Sequence, residues 1–288
     1  MENAIEIKSV SKKYKDFHIE DLSFSVKKGF VTGFIGANGA GKSTTIKLIM
    51  NLIKKEKGNI NIFGLDNQQY ERDIKDRIGF VFDDNVFYEE LSIKEMKNLV
   101  APTYTHWDEE LFRSYLEKFE LPTRLKIKKM SKGMKMKTSL AFALSHHADL
   151  IIMDEPTSGL DPVFRREILE ILYDLMQDET KTVFFSTHIT TDLDKIADYI
   201  VFLQNGTLIF HKEYHAIAEE YGIVKGSNDL LDQRSPKEFV SIRKTSMGFE
   251  ALSKNIKETE SLYGDKVVIE KPSLEDIMYF TKRGKAHV

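Results

Sequence analysis

The pattern of apolar and polar positions predicts that the chain opens with short strands around one helix. Alternation or β-branched content marks residues 5–10, 19–26, 30–35 and 58–64 as strands. Between the last two strands, apolar residues recur at helical spacing from Ser43 until the stop signal at Gly58; they are Ile46, Ile49, Leu52 and Ile53. The sequence therefore predicts a strand, a glycine-containing loop and a helix in succession.

The middle of the chain shows first a stretch of helical patterns and then an alternation of strand and helical patterns. Residues 87–147 carry helical patterns interrupted by Pro102 and Pro122, which predicts a helical insertion. Three buried-strand candidates follow, with helical patterns between them, at residues 150–153, 182–185 and 199–203. This alternation is typical of βαβ units in a parallel sheet. We expect a main domain at 1–212, with a helical subdomain at about 87–147, and a small accessory domain at 213–288.

Composition and charge narrow the classes of function. The 288 residues are 41% hydrophobic and 30% charged, as in ordinary globular proteins. The net charge of -3 leaves no basic footprint for nucleic acid, and the longest apolar runs fall far short of the roughly 20 residues that a membrane-spanning helix needs. The first residues show no secretory signal, and the absence of cysteine is compatible with a reducing cytosol.

A phosphate loop of the pattern G-x-x-x-x-G-K-[ST] lies between the predicted strand and the predicted helix. It reads Gly36, Ala37, Asn38, Gly39, Ala40, Gly41, Lys42 and Ser43, and Thr44 follows. The glycines let backbone N–H groups converge on phosphate oxygens at a helix N-terminus. In this motif Lys42 would reach the β- and γ-phosphates, and Ser43 would offer its hydroxyl to Mg²⁺. A chance match in a glycine-rich turn is the alternative, and the strand–loop–helix context argues against it.

Two acids end the apolar run at 150–153. Ligands bind at the carboxyl ends of strands in open α/β sheets, so Asp154 and Glu155 should face the nucleotide. Asp154 can hold Mg²⁺ through its water shell, and Glu155 can polarise the water that attacks the γ-phosphate. The simpler alternative is that these are two surface acids that cap the next turn. The presence of a phosphate loop in the same chain argues against that alternative.

These motifs together resemble the ATPase subunit of an ATP-binding-cassette (ABC) transporter over residues 1 to about 212. The stretch from Asp154 through Asp161 to Pro162 is similar to that family's Walker B motif and D-loop, and residues 186–188 resemble its histidine switch. The resemblance implies an α/β P-loop NTPase with a mixed central sheet, an antiparallel β subdomain, a helical signature subdomain and a small C-terminal α+β appendage. It also implies that His188 contacts the γ-phosphate and that Tyr14 stacks on adenine.

The family's signature motif appears here in an altered form. Where the family has Leu-Ser-Gly-Gly-Gln, this chain has Met130, Ser131, Lys132, Gly133 and Met134. By resemblance, Ser131 and Gly133 contact the γ-phosphate held by an opposite subunit, and Asp161 crosses the dimer interface. Lys132 either lies near phosphate or points to water, and a lone lysine in a basic stretch favours the solvated position.

Asp83 is a second difference from the motifs of the family, because it stands where the family has the glutamine of the Q-loop. A carboxylate is a stronger Mg²⁺ ligand than an amide, yet it repels the γ-phosphate unless a cation lies between them. We hypothesise that Asp83 reaches Mg²⁺ or its water when ATP is bound. The alternative is that Asp83 only begins the helical insertion.

The resemblance implies partners as well. One phosphate loop and one signature motif predict an ATP-dependent dimer, with itself or with a related ATPase, and separate transmembrane permease subunits that hold the chain at the inner face of the cell membrane. Residues 273–278 resemble the ending of exporter ATPases for antimicrobial or amphipathic peptides, such as lantibiotics or phenol-soluble modulins. A non-transport ATPase acting on ribosomes or DNA is one alternative. A GTPase-type switch is the other, although the guanine-reading Asn-Lys-x-Asp motif is not found.

Overall fold

The computed structural model describes residues 2–82, 87–231 and 238–284. The chain divides into two compact units, Met1–His211 and Lys212–Val288. Within the described ranges, no helix combines the length and the apolar character that crossing a bilayer requires.

A six-stranded sheet forms the centre of the first unit. Its order is β10 (Thr207–Glu213), β9 (Tyr199–Gln204), β3 (Val31–Ile35), β8 (Thr182–Thr187), β7 (Leu150–Asp154) and β6 (Ile78–Val81). The five strands from β9 to β6 are parallel. Every residue of β3, β7, β8 and β9 is buried, which explains why these segments read as continuous apolar runs. Their carboxyl ends meet at one edge, where Ile35 pairs with Thr187 and Asp154 with Ser186.

A four-stranded antiparallel sheet packs its apolar side chains into the same core. Its order is β2 (His18–Lys27), β1 (Asn3–Lys13), β4 (Lys57–Ile62) and β5 (Leu65–Asp66). Ile5, Ile7, Ile60 and Ile62 are buried with Phe34 and Phe184 of the central sheet in one cluster. Helix α2 (Glu71–Lys75) leads from this sheet to β6. Prediction and structure therefore agree on an α/β fold with a separate antiparallel sheet.

Helix α1 (Lys42–Ile49) is shorter than its apolar pattern predicts. Asn51 adopts a left-handed conformation, with φ of 53°. The amide of Leu52 donates to Lys47 O at 2.9 Å, and that of Asn51 donates to Leu48 O at 3.1 Å. These two bonds form a Schellman motif, which ends a helix by satisfying its last carbonyls. The prediction that Leu52 and Ile53 extend the helix towards Gly58 was therefore wrong.

Residues 93–144 hold the helical insertion. It contains α3 (Ile93–Val100), α4 (Glu109–Lys118) and α5 (Lys132–Leu144). Ser92 and Glu95 form a reciprocal capping box at the start of α3. After β7, helix α6 (Pro162–Leu175) precedes β8, and the short helix α7 (Thr190–Leu193) precedes β9.

In its described residues, the second unit combines an antiparallel sheet with helices. Helix α8 (Tyr214–Glu220) comes first, followed by β11 (Gly222–Gly226), β12 (Ser241–Thr245), β13 (Gly248–Ser253), α9 (Ile256–Tyr263), β14 (Val267–Glu270) and α10 (Leu274–Gly284). The strand order is β12, β13, β11 and β14. Val224, Phe239, Phe249 and Ala251 form its buried apolar cluster. This unit therefore has a core of its own.

Candidate active site

The phosphate loop turns sharply between β3 and α1. A Cβ on Gly36 would lie 2.4 Å from the carbonyl oxygen of Leu203, so the loop fits only without a side chain there. Gly41 precedes α1 with φ of 109°, a left-handed conformation that glycine adopts without strain. The first N–H groups of a helix lack partners within it, and they give this end of α1 the properties of an anion site.

A cavity of about 640 Å³ opens beside this loop. The residues that line it are Asp16, Phe17, Asn38, Gly39, Ala40, Gly41, Lys42, Ser43, Thr44, Glu155, Ser158 and His188. They come from the phosphate loop, the carboxyl ends of β7 and β8, and the turn between β1 and β2. The volume lies in the range of small-ligand sites, and most of the lining groups are polar or backbone.

Glu155 connects the charged groups of the cavity. Its Oε1 lies 3.0 Å from Lys42 Nζ, and its Oε2 lies 2.7 Å from His188 Nδ1. The Lys42 and Glu155 side chains are only 5% and 11% exposed, so their attraction is weakly screened. Lys42 Nζ also donates to Gly36 O at 2.7 Å. An ionised carboxylate only accepts hydrogen bonds, so Nδ1 of His188 carries the proton.

Backbone geometry aims the two acids in different directions. Asp154 ends β7, and its Oδ1 accepts a hydrogen bond from Ser186 Oγ at 2.6 Å. The next residue, Glu155, has φ of 50°, which is uncommon for a residue with a side chain. Its amide donates to Ser186 O at 3.0 Å, so the turn stays bonded to β8. Strained conformations of this kind concentrate at functional sites.

The oxygen groups at the cavity suit Mg²⁺. Ser43 is exposed and lines the cavity, whereas Asp154 ends β7 and is not among the described lining residues. In the ranges that the structure describes, no cluster of three or more His, Cys, Asp or Glu side chains could hold a metal. Mg²⁺ prefers oxygen ligands, usually keeps several waters and shares its coordination with substrate phosphates. Asp83, the third predicted ligand, lies outside the described residues.

Known proteins resemble the unit that holds this cavity. The ABC transporter family model matches residues 19–158. The bacitracin transport ATP-binding protein BcrA of Bacillus licheniformis is 32% identical over 212 residues, which cover 73% of this chain and 69% of that protein. The chain belongs to the ABC transporter ATPase family. ABC ATPase subunits hydrolyse ATP, and the matched region of this chain includes its phosphate loop.

Further relatives extend the comparison. The lantibiotic transport ATP-binding protein SrtF of Streptococcus pyogenes is 32% identical over 213 residues, which cover 73% of this chain and 91% of that protein. A solved ATP-binding subunit of an ABC transporter has 31% identity and a TM-score of 0.68, and the match covers 74% of this chain and 91% of that one. These relatives support a transport ATPase over an ATPase of ribosomes or DNA.

The structure adds a second aromatic residue, Phe17, to the surroundings of the loop of this ABC ATPase. Phe17 lines the cavity, and its Cζ lies 2.7 Å from the position of a Cβ on Gly41. Tyr14 is 43% exposed and lies outside the described lining, and its amide donates to Phe17 O at 2.7 Å. The motif comparison pointed to Tyr14 alone and missed Phe17, because only the tight turn between β1 and β2 brings Phe17 to the loop.

The signature segment of this ABC ATPase lies next to its D-loop. Ser131 caps α5, and its Oγ accepts from the amide of Met134 at 3.2 Å. A Cβ on Gly133 would lie 3.2 Å from the ring of Phe164. Asp161 caps α6 and accepts from the amides of Val163 and Phe164. Neither residues 131–134 nor Asp161 belong to the described lining of the cavity.

Lys132 is exposed and reaches the D-loop of its own chain. Its Nζ lies 3.1 Å from the position of a Cβ on Gly159, which has a left-handed φ of 68°. The side chain therefore lies over Gly159. The sequence pattern favoured a position in solvent for Lys132 and did not predict this contact. This lysine replaces a glycine of the family's signature motif, so the contact distinguishes this chain from the usual pattern.

Proposed function

We propose that this ABC ATPase powers the export of a peptide or antimicrobial compound through separate transmembrane subunits. The observation that carries the ATPase part is the Glu155 carboxylate held between Lys42 and His188 at the phosphate-loop cavity. The substrate class is supported by relatives named for bacitracin and lantibiotic transport. The C-terminal segment 273–278 adds to that support.

Phosphate binding begins with an exchange of partners at Lys42. The loop N–H groups and Lys42 receive the β- and γ-phosphates, so phosphate competes with Glu155 for the ammonium group. Ser43 and Asp154 would hold Mg²⁺, which would neutralise charge on the phosphate oxygens. Tyr14 and Phe17 are the aromatic groups available to the adenine ring.

Glu155 and His188 then act on the attacking water. Glu155, released from Lys42, polarises the water in line with the γ-phosphate, and His188 orients the reacting groups through its hydrogen bond to Oε2. Phosphoryl transfer needs positioning and charge more than covalent chemistry. The buried carboxylate next to a fixed imidazole supplies both.

Two copies of the cassette complete each site in this proposal. Ser131, Lys132, Gly133 and Met134 of one chain cover the ATP that the loop of the other holds, and Asp161 lies at the same junction. The described cavity lining contains none of these residues, which supports a contribution from a second chain. A transmembrane permease holds the dimer at the cytoplasmic face of the membrane, and copurification from membranes would identify it.

ATP hydrolysis and oligomer size, measured for the wild type and Glu155→Gln, test this proposal. We expect the variant to lose about 10²-fold or more in rate, the usual contribution of a general base. It should also accumulate an ATP-bound dimer in light scattering and bind ATP more tightly, because glutamine no longer competes as an anion for Lys42.

The matched control is Glu179→Gln, an exposed acid in the loop before β8. It should hydrolyse ATP at the wild-type rate. If Glu155→Gln hydrolyses ATP normally as a monomer, the proposed mechanism is wrong.

A further inference from the structure

A largely buried ion pair connects two segments of the first unit. Arg165 in the first turn of α6 places Nη2 2.6 Å from Asp192 Oδ1 in α7. The Asp192 side chain is 5% exposed, and that of Arg165 is 26% exposed. Arg165 Nε and Asp192 Oδ2 are buried and make no hydrogen bond within the described residues. Removing either partner would leave a buried charge without compensation.

The two residues belong to segments that carry proposed site residues. The amide of Arg165 donates to Asp161 O at 3.0 Å, so Arg165 lies one helical turn beyond the D-loop acid. Asp192 lies four residues beyond His188. The ion pair therefore ties the segment that begins at Asp161 to the segment that begins at His188.

Helix α7 depends on side-chain contacts for its position. It has four residues, and its N-cap residue, Ile189, makes no side-chain capping bond among the described residues. Leu193 holds one side against β3, because a Cβ on Gly33 would lie 2.6 Å from Leu193 Cδ1. Asp192 provides the charged attachment to α6. His188 itself contacts Glu155 through its backbone amide, which donates to Oε2 at 3.2 Å, and through Nδ1 at 2.7 Å, so a shift of α7 would act on both bonds.

We propose that Arg165 and Asp192 are positioning residues for ATP hydrolysis, which hold His188 against Glu155 and fix the D-loop relative to both. The inference rests on the proposed role of His188 and Glu155 and adds two residues that act through them. Displacements of about 1 Å at a reacting centre can cost about 10²-fold in rate. A pair that only stabilised the fold would change the melting temperature without changing kcat in the folded protein.

The experiment measures kcat, KM for ATP and melting temperature on the full chain with Mg²⁺. Asp192→Asn and Arg165→Lys each weaken the pair at nearly constant size. We expect kcat to fall about 10- to 100-fold with KM changed less than about threefold. Arg166→Gln is the control, because Arg166 is the next residue and forms an exposed pair with Glu170 at 3.1 Å; its kcat should match the wild type.

A double variant separates positioning from stability. Arg165→Met with Asp192→Leu removes both charges, so it should recover the melting temperature that a single substitution loses. We expect its kcat to stay low, because apolar contact does not fix the orientation of α7. Recovery of kcat together with melting temperature would overturn the positioning role, as would wild-type kcat in Arg165→Lys and Asp192→Asn.

Failure of this inference is distinguishable from failure of the proposed function. The wild type and Glu155→Gln are measured in the same assay. If Glu155→Gln retains the wild-type rate, the proposed function itself fails. If Glu155→Gln is inactive while the variants at Arg165 and Asp192 keep the wild-type kcat, only the positioning role is wrong.

Discussion

Single backbone conformations shape the segment that follows β7. Glu155 has φ of 50° and Gly159 has φ of 68°, so two left-handed residues bracket the turn that contains Ser158. The first conformation directs the Glu155 carboxylate towards Lys42 and His188. The second brings the chain under the Lys132 side chain. The side-chain chemistry of the site therefore depends on these two local backbone conformations.

Gly159→Ala tests the second of these conformations. Left-handed φ costs about 1–2 kcal/mol for a residue with a side chain, and the new Cβ would lie 3.1 Å from Lys132 Nζ. We expect a loss of stability of about that size and a several-fold lower rate of ATP hydrolysis. Denaturant unfolding and phosphate release measure the two effects.

Gly64→Ala is the matched control, because Gly64 has φ of 79° and, apart from Gly64 and its two chain neighbours, no atom of the described residues lies within 4 Å of the new Cβ. It should lose similar stability and keep its hydrolysis rate. Equal hydrolysis rates in the two alanine variants would show that the contact between Lys132 and the D-loop has no functional consequence.

The sequence identified the candidate site residues that belong to contiguous motifs. Lys42, Asp154, Glu155 and His188 each follow a predicted strand, and the parallel sheet brings those strand ends together. The ion pair of Arg165 with Asp192 could not be predicted in this way. Its members are ordinary charged residues 27 positions apart, and they meet only through the packing of α6 and α7.

Secondary-structure elements differ in how much of them the sequence determines. Strands β3, β7, β8 and β9 of the central sheet were predictable because burial on both faces requires unbroken apolar runs. The end of α1 was not, because apolar Leu52 and Ile53 continue the helical spacing past the left-handed Asn51. An asparagine can end a helix without interrupting its apolar pattern.

His146 joins two elements and should make their packing sensitive to acid. It lies after α5, with Nδ1 3.3 Å from Phe142 O, Nε2 3.1 Å from Ile78 O, and its ring stacked on Tyr104 at 3.8 Å. Burial lowers the pKa of His146 below its usual 6.5, despite two carbonyl acceptors and Asp76 that favour the charged ring. The unfolded chain therefore binds this proton more readily, and stability falls as pH drops below about 6.5.

His146→Gln should flatten that dependence. We expect the wild-type melting temperature to drop between pH 7 and 5, and the variant to drop less over the same window. Carboxyls such as Asp76 and Asp108 have lowered pKa values, so the stability they contribute is lost only below about pH 4. His18→Gln, at an exposed position in β2, should retain the wild-type slope. If the melting temperature of His146→Gln depends on pH as strongly as that of the wild type, groups other than His146 cause the acid sensitivity.

At the scale of the whole molecule, the chain combines two units with separate cores. The cluster around Phe34 and Phe184 belongs to Met1–His211, and the cluster around Val224 and Phe249 belongs to Lys212–Val288. Every described residue that lines the cavity lies in the first unit. A ligand that binds only the folded state stabilises the unit that holds its site.

ATP should therefore raise the unfolding temperature of the first unit alone. At a concentration 100 times its Kd, a ligand adds about 2.7 kcal/mol to stability. Calorimetry of Glu155→Gln with ATP would record both units without turnover. Fluorescence of Trp107, the single tryptophan of the chain, follows only the first. An ATP-induced shift that is equal for the Trp107 transition and for the remaining heat absorption would mean that the units unfold as one. ATP bound in the first unit would then also stabilise the second unit, because the two would unfold in a single transition.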